Sequence, residues 1–347
     1  MEMMRRLLYI CILVLSAMSM MAENYASNAR AEQVERTMVI TYDLSQTTNV
    51  RLLVATNMSN DFKEVKKVSG AVGKNVQAGA NRQITWNVLE EYDSFVADGV
   101  RFKVETFDEG GFSVSSSKKV MFSKGNLQYH PANKLWRFAE NQTDYIGASN
   151  SNCSSTYNGW LDLFGWSTSA KKFGVSTSTS NSGYSGSFVD WGRNKIGDDA
   201  PNTWRTLTKD EWDYVVFNRP NASSLKGVAQ VNGVNGLILL PDNWTCPSGI
   251  TFKSGSFTNW AVDYYGAYQT FFADQWSKLE VAGAVFLPAS GYRYGSNVYN
   301  LQYDGIYWSA TEDDSDTASC LYFDSRVASM NFDFRVSGLS VRLVKNL

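Results

Sequence analysis

Between residues 36 and 104, apolar side chains recur at every second position in short runs. Met38, Ile40 and Tyr42 share one face of a strand predicted over 36–42. Ile84, Trp86 and Val88 do so over 83–88, and Val100, Phe102 and Val104 over 100–104. Two further strands are expected at 50–56 and 64–68, separated by Asn-, Asp- and Gly-rich turns. Short strands at this spacing predict a small β-sandwich over 33–105. Residues 23–32 are polar and are expected to be disordered. Residues 106–119 are polar and rich in Gly and Ser, which predicts a linker, with 112–114 opening a second domain.

From residue 120 to the end the pattern changes. Short apolar runs at 120–122, 127–129 and 135–138 are followed by long loops, 147–158 and 167–190, dominated by Ser, Thr, Asn and Gly. Two helices interrupt the loops. Thr208 and Glu211 form a capping box, in which each side chain reaches the other's backbone N–H. Trp212, Val215, Val216 and Arg219 follow at helical spacing, and Pro220 ends the run. A second helix is expected over 272–282, with Phe272, Trp276 and Leu279 on its apolar face and Gly283 as its stop. Apolar strands precede Pro241 and Pro288. The tail holds three frame blocks: 305–311 (GIYWSAT), 319–323 (SCLYF) and 338–344 (GLSVRLV). Polar and aromatic inserts separate them.

These blocks carry a resemblance. The YWSAT run at 307–311, the LYF strand at 321–323 and GLSVR at 338–342 resemble C-type-lectin-like domains of Bacteroidetes-type secreted proteins. That group includes the Fibrobacter succinogenes major paralogous domains and the ligand-binding proteins diversified by retroelements, with formylglycine-generating enzymes as distant relatives in fold. VMFSKGNLQYHPANKLWRFAE, GWLDLFGWSTS, WRTLTKDEW and AVFLPASGYR, all within 120–293, are similar to the same family. VSGAVGKNVQAGANRQITWNV and VRFKV, within 68–104, resemble the immunoglobulin-like module that precedes such domains. The resemblance implies an all-β immunoglobulin-like sandwich followed by an α+β C-type-lectin-like domain over 120–347, with two helices on a twisted, loop-rich antiparallel sheet. It also implies that ligands meet the tail. Fold alone fixes no function, because one fold hosts many.

Charge narrows the partners. With 32 Lys+Arg against 34 Asp+Glu the net charge is −2. No basic stripe addresses nucleic acid, and no polybasic run addresses a lipid surface. Arg5 and Arg6, then the apolar run 7–21 and Ala22, read as a signal peptide over 1–22. The run is short for a membrane span. With the resemblance, this predicts a secreted protein in the periplasm or on the outer surface of a Gram-negative cell. Cys153, Cys246 and Cys320 remain after cleavage, an odd number, with no zinc or CxxC spacing. Three unrelated thiols is the preferred reading; one disulfide, in any of three pairings, is the alternative.

Catalytic chemistry finds little footing. His130 is the single histidine and lacks a nucleophile motif, so it reads as an ordinary surface side chain. Formylglycine-type oxidation would need a late cysteine pair, and only Cys320 is there. No catalytic residue and no cofactor is predicted. Asp313, Asp314 and Asp316, with Glu312 and Asp324, are hard oxygen donors that could hold Ca²⁺, but a solvated acidic loop is preferred because no EF-hand spacing is present. The strongest lead is aromatic. Tyr292, Arg293, Tyr294, Asn297, Tyr299 and Tyr303 crowd one loop, and Asp313, Asp314, Asp316, Tyr322, Asp324, Arg326, Phe332 and Phe334 crowd the tail. Tyr beside Asn, Ser and Gly resembles a paratope in composition. The expected function is non-catalytic recognition of a surface protein or a glycan through these residues. A structural cell-surface or fimbria-associated subunit is the alternative, and an enzyme comes third.

Overall fold

The computed structural model describes residues 25–254 and 269–347, apart from positions 58, 60, 93, 96, 98, 108 and 109. The expected signal peptide lies outside them. The chain forms two compact units that divide between Glu109 and Gly110. It is rich in strands, arranged in several sheets, with few helices.

The first unit holds β1 (Ala26–Val34), β2 (Thr37–Leu44), β3 (Thr48–Ala55), β4 (Lys63–Glu64), β5 (Val68–Gly70), β6 (Gly73–Val76), β7 (Gly79–Trp86), the single turn α1 (Val88–Glu91) and β8 (Arg101–Phe107). One sheet runs β1-β2-β7-β5; in the other, β3 pairs with β4, β6 and β8. The period-two faces meet in one core of Met38, Ile40, Tyr42, Ile84, Trp86, Val50, Leu52, Val54 and Val104. Alternation puts these side chains inward while their neighbours stay wet. Two expectations are corrected. Residues 26–34 are not disordered: they extend the first sheet by pairing with β2. Thr106 is buried within β8, so the linker expected over 106–119 begins as strand.

The second unit opens with β9 (Phe112–Ser113), β10 (Lys119–Phe122), β11 (Leu127–His130) and β12 (Leu135–Phe138). Phe112 and Val114, within the stretch read as opening the second domain, are buried. Asp242 holds this start in place. It accepts from the Ser113 hydroxyl at 2.6 Å and from the buried Arg219 guanidinium at 2.9 Å. Helix α2 (Lys209–Asp213) carries the capping box: Glu211 N–H donates to Thr208 Oγ1 at 3.2 Å, and Thr208 N–H to Glu211 Oε2 at 3.0 Å. It then widens into one π turn, Tyr214–Asn218, which keeps Trp212, Val215 and Val216 in the core. β13 (Lys226–Val231), β14 (Val234–Leu239), β15 (Thr270–Phe271) and β16 (Val285–Pro288) make a four-stranded sheet, with α3 (Ala273–Val281) between the last two. Trp276 and Leu279 of α3 are buried, but Phe272 is 70% exposed. It sits just before the helix, outside its apolar face.

The tail contributes the hairpin β17 (Tyr292–Tyr294) and β18 (Asn297–Tyr299), the sheet β19 (Gly305–Glu312), β20 (Thr317–Phe323) and β21 (Ala328–Phe334), and a last strand β22 (Val344–Asn346). β22 closes the unit by pairing with β10 near its start. The expected strand at 338–344 instead threads the core through isolated bridges, Phe164 to Leu339 and Tyr307 to Ser340. The long loops are not loose. Tyr184 and Trp191 are fully buried, and Asn150 sits buried in the 3₁₀ turn Gly147–Asn152. The Asn150 amide oxygen accepts the N–H groups of Asp162 and Leu163 at 2.9 and 3.0 Å. Among the described residues no helix is long and apolar enough to cross a membrane.

Candidate recognition surface

The hairpin at 292–299 depends on Gly291, which has φ +67; a Cβ there would lie 2.1 Å from the Tyr299 carbonyl oxygen. Cross-strand pairing of Tyr292 with Tyr299 stacks their rings, centroids 5.4 Å apart. Asp304 ties the hairpin to β20: its carboxylate accepts from Asn300 Nδ2 at 2.6 Å and from the Tyr322 hydroxyl at 3.2 Å. Asp304 was not foreseen from the sequence; only its position beside the 305–311 block could have drawn attention to it. Burial, with the carboxylates of Asp304 and Asp324, holds the Tyr322 hydroxyl far above its ordinary range, so it acts as a donor. Burial also raises Tyr292, helped by Asp333 and Asp304. One patch therefore gathers Tyr292, Tyr299, Asp304 and Tyr322, and the edge strand β21 brings Asp333 to it. Tyr294, Tyr299 and Tyr303 are 41%, 42% and 70% exposed, and Asn297 is exposed beside them.

Two expected contact residues point elsewhere. Arg293 is wholly buried. Its backbone pairs with Gly338 at 2.8 and 2.7 Å, and strand alternation then drives its side chain inward, where Nη1 donates to the Gly295 carbonyl at 2.8 Å. Asp324 is also buried, and its carboxylate folds its own turn, accepting the Arg326 and Val327 N–H groups at 2.6 and 2.8 Å and the Arg326 guanidinium at 3.1 Å. Neither is free to meet a ligand.

The sheet also divides the tail set. Cys320 and Ala318 of β20 pack with Ile306, Trp308 and Tyr322 on one face, and Leu321 and Phe323 pack with α2, Ala328 and Met330 on the other. Register pairs Cys320 with Asn331, Ala318 with Asp333, Ser319 with Phe332 and Thr317 with Phe334. Tyr322, Asn331 and Asp333 thus belong to the hairpin side. Phe332 and Phe334, 59% and 54% exposed, belong to the α2 side. The two groups do not form one surface.

The acidic loop is a built turn. The Asp314 carboxylate accepts the N–H groups of Asp316 and Thr317 at 2.8 and 2.7 Å, and these bonds lower its pKa below the usual carboxylate value. Asp313 accepts the Thr317 hydroxyl at 3.0 Å. The buried Arg335 guanidinium meets Glu312 at 2.6 Å, donates to the Asp314 carbonyl and lies over the Trp166 ring. Among the described residues no group of three or more His, Cys, Asp or Glu side chains is placed to hold a metal ion.

The remaining chemistry lies inside. Cys153, Cys246 and Cys320 are free thiols; Cys320 is buried, and burial pushes its thiol well above the ordinary range. His130 is buried rather than on the surface: its ring meets the edge of Trp160, and Nδ1 accepts the Asn133 N–H at 3.3 Å. Arg342 is buried too. The amide oxygens of Gln142 and Asn126 accept from it at 2.7 and 3.3 Å. The carboxylate or carbonyl partner that its place in an apolar run suggests is supplied by these two side-chain amides.

Residues 269–344 match the family described as "Domain of unknown function (DUF8237)". No curated protein and no solved structure matches the chain.

Proposed function

We propose that this chain is a secreted, non-catalytic recognition protein. In this reading the first unit is an immunoglobulin-like spacer and the second a C-type-lectin-like domain that binds a surface protein or glycan outside a Gram-negative cell. One observation carries it: exposed Tyr294 and Tyr299 stand on a hairpin whose backbone is fixed by Gly291, Asp304 and the stacked Tyr292–Tyr299 pair, with exposed Tyr303 in the turn after it. Rigid aromatic side chains lose little entropy on binding, and tyrosine adds a polar tip. The buried, proton-retaining Cys320 lacks the thiolate character a nucleophile needs, which favours binding over catalysis.

The test is a combined glycan and surface-protein array probed with the full mature chain. A ligand that is captured by the wild type and lost in Tyr294→Ser/Tyr303→Ser, with melting unchanged, supports the reading. An array ligand retained by that variant, or turnover of a substrate cysteine that stops with Cys320→Ala, sinks it.

A further inference from the structure

We propose that the α2 side of β21 docks a basic, apolar-flanked segment of a partner protein. The idea rests on the recognition reading above and names the partner chemistry of a second face. Ala328, Met330, Phe332 and Phe334 form one row by strand alternation. The α2 core covers Ala328 and Met330, but Phe332 and Phe334 continue the row into solvent. Phenylalanine has no polar tip, so the pair offers apolar contact alone.

The rim around the pair is acidic. Arg335 N–H donates to the Asp316 carbonyl at 2.9 Å, which sets Phe334 one residue from the turn of Glu312, Asp313, Asp314 and Asp316. Lys209 N–H donates to Thr311 Oγ1 at 2.9 Å, which brings the first turn of α2 to the end of the same hairpin; its exposed Lys209 and Asp210 offset each other, so the excess of negative charge comes from the turn. The guanidinium nearest the turn, Arg335, is spent on Glu312 and the Asp314 carbonyl. Carboxylates beside bare phenyl rings select a cation next to an apolar side chain. A second copy would set the same acidic rim against itself, which disfavours self-association.

The backbone blocks another mode at this pair. On an edge strand, outward N–H groups can add a partner strand. Here the Phe332 N–H donates to Asn331 Oδ1 at 2.9 Å and the Phe334 N–H to Asp333 Oδ1 at 2.7 Å. At this end of β21 both donors are taken by the side chain before them. Docking at the Phe332–Phe334 pair therefore runs through side chains.

The experiment uses the full mature chain and three labelled peptides read by fluorescence anisotropy: a short alternating Lys/Phe peptide, its Glu-for-Lys counterpart and its Ser-for-Phe counterpart. The Lys/Phe peptide should bind, with each counterpart at least about tenfold weaker. Phe332→Ser/Phe334→Ser should weaken it by a similar factor. Asp313→Asn/Asp316→Asn should flatten its salt dependence, because screened charge supplies part of the attraction. Tyr294→Ser/Tyr303→Ser should leave it unchanged. No binding of the Lys/Phe peptide, equal binding of the Glu/Phe peptide, or binding that ignores both the Phe and the Asp variants overturns the proposal. An array ligand lost in Tyr294→Ser/Tyr303→Ser but indifferent to Phe332→Ser/Phe334→Ser, alongside peptides that fail, leaves the recognition reading standing and removes this one. Concentration-dependent dimerisation that is lost in Phe332→Ser/Phe334→Ser makes the occupant a second copy and also overturns it.

Discussion

Replacing Gln142 by Ala should destabilise the second unit more than most core truncations, although Gln142 touches no proposed ligand. Its side chain is buried and makes four hydrogen bonds. Nε2 donates to Glu280 Oε1 at 2.9 Å and to the Ala284 carbonyl at 3.0 Å, while Oε1 accepts the Phe286 N–H at 2.8 Å and the Arg342 guanidinium at 2.7 Å. Alanine leaves the Phe286 N–H, the Ala284 carbonyl and a buried cation short of a partner. A buried neutral group left unpaired costs about 1–3 kcal/mol, and a charged one more. These losses share one cavity and do not simply add, so about 4 kcal/mol is expected. Burial already depresses the Arg342 pKa to about 10, a sign that its charge is held at some cost. Hydrogen exchange of peptides spanning β14 and β16 in the full chain reads the opening free energy of this unit. Arg342→Met in the Gln142→Ala background should recover part of the loss, because the stranded charge goes with it. A loss below about 1 kcal/mol, or no recovery in the double variant, would refute the reasoning.

Trp308→Ala should cost about 3–5 kcal/mol, because the ring is fully buried and its indole N–H donates to the Phe164 carbonyl at 2.6 Å. Tyr322→Ala should fall between that loss and the near-zero cost of Asp316→Asn, since the Tyr322 ring is half-buried and one hydroxyl bond ties it to Asp304; thermal melts of the three variants rank them. Asp162 gives a pH signature. Burial raises its folded pKa to about 6 from 3.8, so the folded state holds the extra proton between those values and its stability falls as pH rises from about 4 to about 6. By linkage the full effect is roughly 3 kcal/mol, and Asp162→Asn should remove that slope. Asp242 works the other way at lower pH: Ser113 and Arg219 depress its pKa against the effect of burial, so its contribution disappears only in acid.

Strand patterning was readable where one face is wet. Met38, Ile40, Tyr42, Ile84 and Trp86 alternate with solvated neighbours, and all five lie in the core of the first unit. The α2 cap was equally plain, because Thr208 and Glu211 satisfy each other locally. β1 was not readable. It is an edge strand with largely exposed side chains, so pairing with β2 rather than burial makes it a strand. The long Ser- and Asn-rich loops hid their order for a related reason: it resides in side-chain to backbone bonds such as those of Asn150, which leave no hydrophobic period. In the tail, composition pointed to the aromatic and acidic residues but not to their side of the sheet. Register separates Tyr322 from Phe332, and Gly338 pairing turns Arg293 inward. No sequence spacing encodes either partner.

The central claim is that ligand meets the tyrosine hairpin of the second unit. Hydrogen exchange of the full chain, with and without a ligand captured on the array, tests it most directly. Slowed exchange is expected over residues 292–304, with the first unit unchanged. Protection confined to residues 25–107, with none in the tail, would contradict it.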